Sequence, residues 1–236
     1  MSFLAKIDKF GLADNETLVC TATEEGDSWQ EATAMNEEGS IAVSEVYGHT
    51  ASPTCEYAIK ASLESSPKDI VLGGVTTVGE GASAKHYCLT EVTIQTSAGG
   101  VPTVSAKGEQ VPVATPSCKY TIEDGLAVSQ KCHAQPLLSA FTLGGTGCYL
   151  TDCSITFSCG FQATTKDGEY LAWDVSEGKI EETLSIVRTG TAEPTLSAAD
   201  GWTITSPLTM SNPDSDFPTY EATIVKYLQK DAHSND

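Results

Sequence analysis

Apolar and polar residues alternate with a period of two along most of this chain. The runs "LTEVTIQTS" (89–97), "EQVPVAT" (109–115), "LTDCSITFS" (150–158), "GEYLAWDV" (168–175), "EETLSIV" (181–187) and "YEATIVKYL" (220–228) all carry it. Such alternation sends one set of side chains to each face of a β-strand. In the last run Tyr220, Ala222 and Ile224 share one face, and Glu221, Thr223 and Val225 share the other. Thr, Val, Ile and aromatic residues fill the runs while Gly, Asp, Asn and Pro separate them, as strands and turns require. Asp167-Gly168, between two runs in "TKDGEY" (165–170), predicts a tight hairpin. Two stretches predict short helices, "FLAKIDKF" near the start and "TLSAADGW" around residue 198, and the Gly-rich "LGGVTTVGEGAS" (72–83) predicts a flexible loop. The expected fold is all-β: an antiparallel β-sandwich or β-roll with at most one or two short helices.

Several phrases occur twice. "SPTCEYAIKASL" (52–63) and "TPSCKYTIEDGL" (115–126) align without a gap, sharing Pro53/Pro116, Cys55/Cys118, Tyr57/Tyr120, Ile59/Ile122 and Leu63/Leu126. "CLTEVTIQTS" (88–97) likewise matches "YLTDCSITFS" (149–158) at Leu89/Leu150, Thr90/Thr151, Ile94/Ile155 and Ser97/Ser158. A recurrence of about sixty residues is long enough for a small β-module. The expectation is duplicated strand modules, approximately 37–63, 86–126 and 148–187, within one β-rich domain over 1–236 or two packed β-modules.

Charge narrows the functional classes. Thirty-two acidic residues against thirteen basic ones give a formal charge of -19. A dedicated nucleic-acid surface needs a basic stripe to neutralise phosphates, and this composition argues against one. The opening "MSFLAKIDKFGLADNETL" has neither the apolar core nor the cleavage site of a signal peptide, and no apolar run is long enough to cross a bilayer. The expectation is therefore a chain that is cytosolic when made, without membrane association. The eight cysteines (Cys20, Cys55, Cys88, Cys118, Cys132, Cys148, Cys153 and Cys159) are then expected to be reduced, acting as small apolar residues.

Reactive chemistry is hard to find. The motifs of a serine nucleophile elbow, a zinc-protease helix and a phosphate-binding P-loop are missing. His49, His86, His133 and His233 are scattered. Cys148, Cys153 and Cys159 lie close in sequence but lack knuckle spacing, and strand alternation puts Cys153 and Cys159 on one face as buried thiols. "NPDSD" (212–216) lacks the glycine and bidentate glutamate of a calcium loop and reads as a turn. The sequence names no catalytic, cofactor-binding or metal-binding residue, and the expectation is that the protein is not an enzyme and carries no cofactor. A β-sandwich adhesin or carbohydrate-binding module is an alternative, with Trp29, Trp173 and Trp202 as a stacking platform, although at least two of these suit a core.

The stretch "CYLTDCSITFSCGFQATTKDGEYLAWDVSEGKIEETLSIV" (148–187) has a Thr/Ser-rich outgoing strand, an Asp-Gly tip, a return strand and a Glu-studded end. It resembles the core of long-tailed phage tail-tube (major tail) proteins, and "SNPDSDFPTYEATIVKYL" (211–228) is similar to the way that family ends. The resemblance covers about the last third of the chain. It implies a structural virion protein: a homo-oligomeric ring, hexameric in that family, stacking with an acidic lumen through which DNA passes without specific binding. It also implies other tail proteins as partners, and a path from the host cytoplasm during assembly to the virion tail. The internal repeat reaching back to residue 52 departs from the simplest such subunit, and the family offers no active-site residues to carry over.

Overall fold

A computed structural model describes residues 18–59, 70–112, 119–122, 128, 132–166 and 169–229. The fold is all-β and antiparallel. Among the described residues thirteen strands run in chain order: β1 (Leu18–Met35), β2 (Ile41–Ile59), β3 (Val71–Leu72), β4 (Val75–Val78), β5 (Lys85–Ser97), β6 (Thr103–Val111), β7 (Tyr120–Thr121), β8 (Phe141–Gly144), β9 (Cys148–Lys166), β10 (Glu169–Arg188), β11 (Thr195–Ala198), β12 (Thr203–Met210) and β13 (Thr219–Tyr227). Nine of them form one sheet in the order β1-β2-β6-β5-β9-β10-β13-β12, with β4 added to β5. Two ribbons, β11-β8 and β3-β7, complete the strand pairing.

The alternation read from the sequence sets the two faces of the sheet. Val92 and Ile94 of β5, Ile155 and Phe157 of β9, Ile180 and Leu184 of β10, and Ile224 of β13 are all buried on the inner face. That face is covered by Ile70 and Leu72 beside β3, by Tyr120 and Ile122 at β7, and by Leu137, Leu138 and Ala140 ahead of β8. Each large aliphatic side chain buried this way contributes roughly 1.5–3 kcal/mol against the entropy of ordering the chain.

Both long hairpins leave the sheet at one cross-strand row. That row runs Thr54–Lys107–Glu91–Ser158–Lys179–Tyr227 across β2, β6, β5, β9, β10 and β13. Pairing of β2 with β6 stops at Thr54, and pairing of β9 with β5 stops at Ser158. Beyond it β1 and β2 continue as a two-stranded arm turning at Asn36–Ser40, and β9 and β10 continue as a second arm. The strands are antiparallel throughout, so the two arms project from the same end of the sheet. At about 3.3 Å per residue, the first extends by roughly 35–45 Å and the second by roughly 25–30 Å. Bulges mark the departure row: a register shift between Leu89 and Glu91 in β5, and another between Ser176 and Lys179 in β10. The β10 bulge contains Glu177, with φ of 52°, followed by Gly178. An extra residue on one strand bends it and increases its twist, which frees each arm from its neighbour.

Two sequence expectations take a different form. The Gly-rich stretch 72–83 is ordered strand as much as loop, because β4 occupies the edge of β5 that β9 vacates; Val75 pairs with Cys88 and Val78 with Lys85. "TLSAADGW" is β11 and a turn, because Leu196 and Ala198 alternate towards the core and pair with Leu143 and Phe141. Pairing and burial outweigh helical preference there. "FLAKIDKF" lies outside the described residues. So does the Asp167-Gly168 tip, but Lys166 and Glu169 pair directly and leave a two-residue connection between β9 and β10.

The repeated phrases have different fates. Tyr57 and Ile59 lie in β2 of the main sheet, whereas Tyr120 and Ile122 lie at the short β7. All four side chains are buried. The second repeat forms β5 and β9, which pair antiparallel and bring Ile94 opposite Ile155.

Candidate functional site

The outer face of the sheet presents rows of small hydroxyl side chains. Below the departure row lies Glu56–Ser105–Thr93–Thr156–Glu181–Val225, and next comes Ala58–Thr103–Gln95–Ser154–Thr183–Thr223. The lowest row is Ser97–Asp152–Ser185–Glu221. The sequence builds this face simply: between Glu91 and Ser97 of β5, Asp152 and Ser158 of β9, and Lys179 and Ser185 of β10, every residue out of phase with the buried aliphatics is Thr, Ser, Gln or charged. The hydroxyls of Thr93 and Thr156 approach to 3.0 Å across β5 and β9. Where β2, β6 and β5 carry short side chains there is a depression of about 220 Å³, bordered by Thr21, Glu56, Thr93, Gln95, Thr103 and Ser105.

The face is acidic. Glu56, Glu91, Asp152, Glu181 and Glu221 stand on it against Lys107 and Lys179. Both lysines are held by carboxylates: Lys107 Nζ lies 2.6 Å from Glu91 and Lys179 Nζ lies 3.1 Å from Glu181. Such partly exposed pairs add at most about 1 kcal/mol each to stability. Their larger effect is on the surface, where they cancel the positive charge that could hold an anionic polymer.

A second polar group lies where β1 and β2 part from β6. Buried Tyr87 donates its hydroxyl proton to Glu25 Oε1 at 2.7 Å, and Lys85 Nζ lies 3.5 Å from the same oxygen. Burial, then the hydrogen bond and negative charge of Glu25, push the Tyr87 phenol well up. Ser52 Oγ donates to Glu109 Oε2 at 2.7 Å; burial raises the Glu109 pKa and the serine bond partly offsets it. These contacts tie the root of the first arm to β5 and β6.

The residues singled out in the sequence do not converge. Cys148 donates to Ala192 O, Cys153 to Glu182 Oε1 and Cys159 to Thr90 O, so the three thiols serve different elements. Among the described residues no group of His, Cys, Asp or Glu is arranged to hold a metal ion. His86 Nδ1 meets Thr77 Oγ1 at 3.0 Å, His133 is exposed, and His233 lies outside the described residues. Trp173 is 5% exposed and stacks with Phe161 at 6.4 Å, while Trp202 is half-buried under Lys226. These two indoles belong to the core and its margin, and the side chains of Trp29 and His49 lie outside the described ones. "NPDSD" forms a turn in which Phe217 N–H donates to Ser215 Oγ at 3.2 Å.

Sequence reasoning missed Glu182, which is fully buried on the inner face. The signal was present: in "KIEETLSIV" Glu182 is in phase with Ile180, Leu184 and Ile186, the face that alternation assigns to the core. No protein-family model matches the chain, and no curated protein matches its sequence.

Proposed function

We propose that this chain is a structural, self-assembling subunit of a phage-type tail tube, with the hydroxyl-rich outer sheet face turned to the lumen. The observation that carries the reading is that face: rows of Thr and Ser with an acidic excess, on which both lysines are neutralised by neighbouring carboxylates. A channel for a sliding polyanion must stay wetted and must not bind. Hydroxyls satisfy the first need and a net negative charge the second.

Two further features support assembly. Strands β1 and β12 end the sheet and leave backbone edges open to other chains among the described residues. Edge pairing between copies would cover them, and a head-to-tail contact that closes gives a ring. The two arms, leaving one end of the body, have the reach to engage a neighbouring copy. In this reading the ring is hexameric, stacks with other tail proteins, and moves from the host cytoplasm into the virion tail without catalysing a reaction.

The test is assembly plus DNA retention. Purified protein should form rings or tubes by electron microscopy and bind DNA negligibly at low salt. Thr93→Lys/Thr156→Lys should still assemble but should now retain DNA in a salt-sensitive way. A strict monomer at all concentrations and salts, or tight DNA binding by the unmodified protein, overturns the reading.

A further inference from the structure

Segment 132–140 runs across the inner face of the sheet and is clasped at two places. Gln135 N–H donates to Thr96 Oγ1 at 3.3 Å, and the hydroxyl itself faces the carbonyls of Gln135 (3.3 Å) and Cys153 (3.5 Å). Two residues on, Leu137 N–H donates to Glu182 Oε1 at 3.3 Å, an oxygen that also accepts the Cys153 thiol proton at 3.1 Å. Leu137, Leu138 and Ala140 are thereby pressed into the core.

Glu182 is an unusual clasp. Its cross-strand partners are Ile155 of β9 and Ile224 of β13, both fully buried. Its Oε2 is buried without a hydrogen-bond partner among the described residues. The titratable group facing it is Cys153 on β9; β13 presents Ile224, and the covering segment presents the Leu137 and Leu138 amides. No cation enters its surroundings among the described residues. A bare carboxylate in such a place lacks both solvation and a counter-charge, whereas a neutral carboxylic acid needs neither. Burial accordingly raises its pKa, against the opposing pull of Cys153 and the two amides.

We propose that Glu182 is a proton-operated latch: uncharged, it clasps residues 132–140 onto the sheet, and on losing its proton it lets that segment go. Opening would expose Leu137 and Leu138 and uncover the Cys153 thiol, making the cover on the inner face conditional on pH. The inference is independent of whether the chain forms a tube.

The linkage has a definite sign. With the segment open, Glu182 regains water and ionises in the ordinary glutamate range; closed, it stays protonated to higher pH. Between those two limits the opening equilibrium should rise about tenfold per pH unit, and above the closed-state value it should level off. Residue-resolved hydrogen exchange of the full chain tests this. At each pH the Leu137 amide is compared between the unmodified protein and Glu182→Gln, which keeps an acceptor and cannot ionise; intrinsic exchange cancels in the ratio. The ratio should climb with pH in that window, and pulsed alkylation of Cys153 should follow it. Thr96→Val should speed exchange by a factor independent of pH. Should Glu182→Gln not fold, the protection of Leu137 relative to Ile224 within the unmodified protein gives the same test. A ratio flat with pH, or equal pH dependence in Glu182→Gln, overturns the latch.

Discussion

Ile94 of β5 and Ile155 of β9 occupy the same position of two repeated phrases and are direct partners across the antiparallel pair, both essentially inaccessible to solvent. The second duplication therefore meets itself in space: two copies of one alternating phrase lie side by side, apolar residues inward and hydroxyls outward. Truncating either isoleucine removes aliphatic contact from both strands at the centre of the sheet. Ile155→Ala should cost about 2–5 kcal/mol, read as a lower denaturation midpoint with an unchanged slope. A loss below about 1 kcal/mol would mean that this row is not in the core.

Gly178 is a contact, not merely a bend. A Cβ placed there would lie 2.7 Å from the Tyr120 ring, so the bulge in β10 admits β7's tyrosine only because residue 178 has no side chain. Gly178→Ala should destabilise by about 1–3 kcal/mol through overpacking. In a Tyr120→Ala background most of that increment should vanish, and a double-mutant cycle by chemical denaturation measures the coupling.

Lys166 pairs with Glu169, which leaves two residues, Asp167 and Gly168, to connect the strands of the second arm. A two-residue hairpin loop built on Asp-Gly favours a left-handed conformation at the glycine. Gly168→Val should therefore cost roughly 1 kcal/mol or more. Unaltered melting and unaltered assembly would refute this account of the tip.

Glu109 gives a pH prediction with a fixed sign. Burial raises its folded-state pKa above that of the unfolded chain. Below the unfolded value both states are protonated and the group contributes nothing; as pH climbs towards the folded value, only the unfolded chain ionises and stability falls. Relative to Glu109→Gln, the unmodified protein should lose stability across that rise and then run parallel to the variant. Urea midpoints taken across the pH range check this, and a difference of opposite slope would contradict the burial of the carboxyl.

Assembly should respond to salt. Copies carrying a formal charge of -19 repel one another, and exposed charges are screened over about 8 Å at physiological ionic strength. Strand pairing and apolar contact persist as salt rises while the repulsion fades, so sedimentation velocity should show larger species at higher salt. Dissociation on adding salt would point instead to contacts built on opposite charges.

The sequence alone specifies the strands within 89–97, 150–158, 181–187 and 220–228 and which side of each faces the core, because a period of two leaves little choice once one face must be dry. It carried the hydroxyl-rich outer face in the same pattern, one residue out of phase with Val92, Ile94, Ile155 and Leu184. Its Asp167-Gly168 tip lies outside the described residues, where Lys166 and Glu169 pair on either side of it. The strand order, the shared row at which both arms depart, and the meeting of Lys107 with Glu91 were decided by tertiary pairing between residues far apart in the chain. So were the strand at Val75–Val78, which exists because β9 leaves an edge of β5 open, and the burial of Glu182 beneath Leu137. Local preference acts over a few residues, whereas these outcomes depend on which distant segment arrives to complete a hydrogen-bond ladder or to exclude water.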